Sequence, residues 1–132
     1  MGILDVSALK KAVACLEQGL LDAEQYPTVR TVKDGVVQEF GFVVDLCWKL
    51  LQKYLKHKAQ VEEASLRTKN DIFREAAQRA LIPDAERWIR YYQARNETAH
   101  AYDIDRWTLV FSIAKELPID AYQLIHALES AA

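Results

Sequence analysis

The sequence predicts an all-α fold: an antiparallel up-and-down four-helix bundle with one short additional helix, as a single domain over residues 1–132. Three observations predict it. Apolar residues recur at three- and four-residue spacing through several long segments. Only seven of the 132 residues are Gly or Pro, too few for a turn-rich β architecture. The helix formers Ala, Leu, Glu, Lys and Gln are abundant, and alternating β-branched runs are absent.

The first helix is expected to begin near Asp5 or Ser7, both good N-cap types, and carries Leu9, Val13, Leu16 and Leu20 as a bundle seam. It should fade before Tyr26-Pro27, because Pro27 disfavours helical geometry in the residue before it, leaving a loop over residues 26–31. The second helix is placed from about Asp34 to Lys58. Its stripe runs from Val36, Val37 and Phe40 to Leu51, Tyr54 and Leu55. Phe42, Leu46 and Trp48 lie off that stripe, which predicts burial on two sides. Gly41 inside this helix predicts a close helix–helix approach, within the bundle or across a dimer. The excess apolar surface, with an inward-facing Arg95, predicts a homodimer or a higher even oligomer.

After a polar connection over residues 59–69, a short helix is expected over residues 70–81, with Pro83 ending it or opening the next. The fourth helix, over residues 84–98, places Trp88, Tyr91, Tyr92, Arg95 and Ala99 on one broad face. Asp103 or Asp105 can cap the last helix, which Pro118 should kink or split.

A net charge of −2 argues against a broad nucleic-acid footprint, but leaves room for a local basic site built from Arg87, Arg90, Arg95 and Arg106. Cys15 and Cys47 sit in apolar helical patterns and read as buried reduced thiols. His57, His100 and His126 lack ligand spacing, so no metal and no cofactor is expected. Neither a signal peptide nor a membrane-spanning run is visible, and a cytoplasmic protein is the expectation.

The chemistry concentrates in residues 95–102, Arg-Asn-Glu-Thr-Ala-His-Ala-Tyr. Arg95 offers a fixed cation with a planar fork of donors suited to phosphate. His100 titrates near neutral pH. The Tyr102 hydroxyl can donate, accept or, with a base nearby, attack. Asn96, four residues before His100, can orient its ring or bind a ligand. The bland readings are an ion pair of Arg95 with Asp103 or Glu97, a helix-ending His100, and a core-edge Tyr102. At about 100° per residue, Arg95 and His100 diverge by roughly 140° on an unbroken helix. A shared cleft therefore requires the helix to break near Thr98, or a second subunit to complete the site.

The Arg-x4-His-x-Tyr pattern of Arg95, His100 and Tyr102 resembles the motif of the HEPN superfamily. The run through Asp103, the preceding residues 88–92, and the segments 71–76 and 81–84 resemble its nucleotidyltransferase substrate-binding branch over nearly the whole chain. Ala99 departs from the small hydroxyl residue expected there. The resemblance implies a substrate- or nucleotide-binding subunit that accompanies a separate small MNT-type nucleotidyltransferase, with Arg95, Asn96, His100 and Tyr102 in the binding site. This chain has no Gly-Ser pair followed by spaced Asp residues and could not transfer a nucleotide itself. The alternative it implies is a metal-independent ribonuclease toxin. There His100 is the base on a ribose 2′-hydroxyl, Arg95 stabilises charge on phosphorus, and the nucleotidyltransferase acts as antitoxin by attaching AMP to Tyr102.

Overall fold

A computed structural model describes residues 4–97 and 104–131, with side chains described from residue 107 onward in the second stretch. The chain is all-α, and no strand occurs among the described residues. The helices are α1 (Ser7–Gln25), α2 (Arg30–His57), α3 (Lys69–Gln78), α4 (Ala85–Asn96), α5 (Ile104–Ala114) and α6 (Leu117–Ala131), with a 3₁₀ turn at Glu63–Ser65.

α1 starts where the Asp5 carboxylate accepts the Ser7 N–H at 2.9 Å. Hydrogen bonding from the Ser7 side chain, and then from its N–H, holds the Asp5 carboxyl below its ordinary value. The expected seam of Leu9, Val13, Leu16 and Leu20 is buried throughout. The loop that follows is shorter than expected, because α2 begins at Arg30 rather than Asp34. The additional turn lets Val32 pack against the core. α2 then packs against each of the other five helices, which is why its stripe is so wide. Val36, Phe40, Val43, Val44, Cys47, Leu51 and Leu55 are buried, Leu46 and Trp48 are half-buried, and Phe42 stays exposed.

Thr68 and Asp71 open α3 with a reciprocal capping box, at 3.0 and 3.2 Å. α3 stops at Gln78, short of the expected Leu81, because Ala80 takes a left-handed φ of 59°. That turn sends Leu81 and Ile82 back into the core. Pro83 lies in the connection, and Asp84 caps α4 by accepting the Glu86 N–H at 3.0 Å. The last helical stretch is split, as Pro118 predicts: α5 ends at Ala114, and Pro118 becomes the second residue of α6, where a missing N–H is harmless.

The core is one cluster drawing on every helix, centred on aromatic groups. Trp88 stacks with Phe73 at 6.1 Å between centroids and meets Tyr91 edge-on at 5.3 Å. Cys47 is buried as expected, and burial pushes its thiol pKa up. Cys15 is a correction: it is exposed. It lies off the α1 seam and lines a groove toward Gly35, Glu39 and Phe42 of α2.

Candidate functional site

The site is built on α4, whose side chains at positions 87, 91 and 95 fall one helical turn apart. The helix ends at Asn96, two residues before the expected break at Thr98. The Glu97 N–H is shared between the Gln93 and Ala94 carbonyls, both at 3.2 Å. Arg95 therefore stands in the last turn, where a cation is favoured. Its side chain is half-buried, and that of Asn96 beside it is exposed. Thr98, His100, Tyr102 and Asp103 lie outside the described residues, as does the Arg106 side chain.

Arg95 is seated on α2. Its Nε donates to Asp45 Oδ1 at 3.2 Å and its Nη2 to Asp45 Oδ2 at 3.1 Å, a two-point fork on a carboxylate. This ion pair holds the guanidinium pKa above its already high ordinary value. Trp48 Nε1 donates to the same Asp45 Oδ1 at 3.3 Å. The Arg95 stem passes over Gly41: a Cβ there would sit 3.8 Å from Arg95 Cγ. The close helix–helix approach expected at Gly41 is a correction: among the described residues what faces Gly41 is the Arg95 side chain, at ordinary van der Waals distance. Residues 41, 45 and 48 share one face of α2 by their spacing. The Lys69 ammonium lies 4.3 Å from the Trp48 ring centroid.

Asp45 was missing from the sequence reading, which sought the partner of Arg95 in Asp103 or Glu97. One signal pointed to it. Asp45 is the only acidic residue between Phe40 and Leu51 in an otherwise apolar helix, and an acid in such a setting wants a cation.

Arg87 and Arg90 of the expected basic site are also paired. Arg87 Nε and the Tyr91 hydroxyl both donate to Asp120 Oδ2 in the first turn of α6. Arg87 and Arg90 reach Glu116 at 3.2 and 2.9 Å. Asp120 is buried and Tyr91 wholly so. Burial, then the hydrogen bond to Asp120, drives the Tyr91 phenol pKa well above its ordinary value. Acids on two neighbouring helices thus fix α4: Asp120 at its middle and Asp45 at its end. The result is a local surface of balanced charge among the described residues, with the half-exposed Arg95 guanidinium held in a defined orientation at the end of α4.

Among the described residues, no group of three or more His, Cys, Asp or Glu side chains could hold a metal ion. No helix among them is long and apolar enough to cross a membrane. A separate cavity of about 320 Å³ lies between α1 and α2, lined by Ala12, Cys15, Gly35, Gln38, Glu39 and Phe42, and shares no residue with the Arg95 seat.

Comparison with known proteins covers almost the entire chain. A probable ribonuclease, HepT, from Haemophilus influenzae is 28% identical over 134 residues, spanning 95% of this chain and 92% of that protein. A solved structure from the same organism, described as revealing the fold of a substrate binding domain of a nucleotidyltransferase, superimposes with a TM-score of 0.83. It is 26% identical and covers 95% of this chain and 99% of the other. The family model described as nucleotidyltransferase substrate binding protein like matches residues 4–130. With its resemblance to the HEPN superfamily and this match over nearly its full length, the chain belongs to the nucleotidyltransferase substrate binding protein like family.

Proposed function

We propose that this protein is the substrate- or nucleotide-binding subunit of a two-component system whose second member is a separate small MNT-type nucleotidyltransferase. The observation that carries the reading is the family match over residues 4–130; the half-exposed Arg95 at the end of α4, held by Asp45, supports it. Arg95 takes the phosphate, Asn96 and His100 complete the polar wall, and Tyr102 stands at the rim. The subunit pairs with a second copy, and the half-buried and exposed apolar groups of α2, Phe42 among them, are available to that contact. In this reading α1, α2, α4 and the split α5–α6 form the up-and-down bundle, with α3 as the short addition.

A second reading is favoured by one specific observation, the likeness to a probable ribonuclease over 95% of the chain. Here the same residues cleave RNA without a metal. Neutral His100 takes the proton of a ribose 2′-hydroxyl, the oxygen attacks the adjacent phosphorus as Arg95 stabilises the charge on the phosphoryl oxygens, and the P–O5′ bond breaks to give a 2′,3′-cyclic phosphate and a 5′-hydroxyl that takes up a proton. The nucleotidyltransferase then acts on this chain, transferring AMP from ATP to the Tyr102 oxygen with release of pyrophosphate, which blocks the site with bulk and charge.

Expression of the chain with and without its cognate nucleotidyltransferase separates the two. Growth arrest and RNA breakdown without the partner, both relieved by Arg95→Ala or His100→Ala, establish the ribonuclease. Normal growth and intact RNA in both cases leave the binding subunit as the working reading.

A further inference from the structure

Three regions were candidates for further chemistry: the α1–α2 cavity, the buried Asp120 cluster, and the seat beneath Arg95. The seat leads furthest, because it joins Asp45 to a side chain on which both functional readings depend.

An arginine side chain has several freely rotating bonds, so a guanidinium at a helix end is spread over many orientations unless something fixes it. Three features of α2 fix Arg95. Its stem lies over Gly41, at ordinary van der Waals distance from where a Cβ would stand. Asp45 grips two of its three nitrogens, Nε and Nη2, in the plane of the fork. Trp48 is in turn hydrogen-bonded to Asp45 Oδ1, which restrains the carboxylate itself. The indole is held from the other direction by the Lys69 ammonium over its ring. A carboxylate beside a phosphate-binding arginine has an electrostatic cost, since it weakens the positive field that an anion meets. Its presence is explained if orientation gains more than attraction loses.

We propose that Asp45 is the positioning residue of the Arg95 site: with Trp48 behind it, it fixes the plane in which the guanidinium meets the phosphate of a nucleotide or of RNA. This rests on Arg95 being the phosphate-binding residue of the proposed function. It makes a prediction whose sign is opposite to that of simple charge. Asp45→Asn removes a negative charge from the site, so attraction alone predicts tighter anion binding. Positioning predicts weaker binding, because the amide cannot accept both guanidinium N–H groups.

The test uses the full chain, titrated into a fluorescent ATP analogue and, separately, into a fluorescein-labelled 2′-O-methyl oligoribonucleotide that cannot be cleaved. Thermal melts of each variant are recorded in parallel. Wild-type protein should bind at least one probe, and Arg95→Ala should weaken that binding roughly tenfold or more. Asp45→Asn should weaken it by a similar factor, and Asp45→Glu, which keeps the carboxylate, should recover a large part of the loss. Trp48→Phe leaves Asp45 in place but removes a donor to it, so a smaller loss in the same direction is expected. It also serves as the informative variant should Asp45→Asn fail to fold. Unchanged or tighter binding by folded Asp45→Asn, with Arg95→Ala still weakened, overturns the positioning role alone. Arg95→Ala binding as well as wild type overturns the underlying reading of the site, and the positioning role with it.

Discussion

Asp120→Ala should lower the melting temperature by roughly 8–16 °C, corresponding to a loss of about 2–4 kcal/mol. Asp120 is buried and accepts from two donors on α4, the Arg87 guanidinium and the Tyr91 hydroxyl. Its removal leaves a buried phenol without an acceptor and a guanidinium with a weakened set of partners, and it opens a small cavity at the α4–α6 junction. Glu116 moderates the loss, because it continues to hold Arg87 and Arg90. Thermal unfolding followed by circular dichroism measures the effect, and a shift of under about 2 °C would show that the cluster contributes little to stability. The same cluster gives the protein an alkaline limit. The folded Tyr91 pKa is raised, so the unfolded phenol ionises first as pH climbs past about 10, and stability falls with rising pH from that point. Below that pH the contribution is fully present.

Tyr102→Phe should abolish nucleotide transfer to this chain in the presence of its nucleotidyltransferase, ATP and Mg²⁺. The proposal follows from the position of Tyr102 two residues after His100. A free phenol with a pKa near 10 is a poor nucleophile at neutral pH, so it needs a base, for which neutral His100 or a carboxylate of the partner suffices. Asp103 beside it gives no help, since a neighbouring negative charge disfavours phenolate. Arg95 can orient the incoming phosphate. Intact mass reads the outcome: wild type gains the mass of one AMP, and the Phe variant, which loses only a hydroxyl, gains none. Equal labelling of the variant would move the acceptor elsewhere.

The helices were legible where a local pattern decided them. The Leu9–Val13–Leu16–Leu20 seam and the terminations at Pro27 and Pro118 act within a few residues, and so they read directly from sequence. The start of α2 was misplaced by a turn, since Val32 favours a helix there only through tertiary packing. Cys15 looked like a core residue because its neighbours are apolar, yet its own direction on α1 puts it at the surface. Of the expected site residues, Arg95 and Asn96 stood out in a motif eight residues long, and both lie in the last turn of α4. Asp45 did not stand out, because a salt bridge across fifty residues of chain leaves no local trace beyond one acid in an apolar helix. Gly41 suggested a close helix–helix approach, whereas the stem of Arg95 faces it at ordinary contact distance.

The central claim is that this chain works with a separate nucleotidyltransferase. Size-exclusion chromatography with light scattering tests it, using the purified chain and a small nucleotidyltransferase proposed as its partner, alone and mixed at micromolar concentration. The account predicts that the mixture elutes as a complex whose mass contains both chains. Two unchanged peaks, each at the mass of its own protein, with no AMP added to this chain when ATP and Mg²⁺ are present, would contradict it.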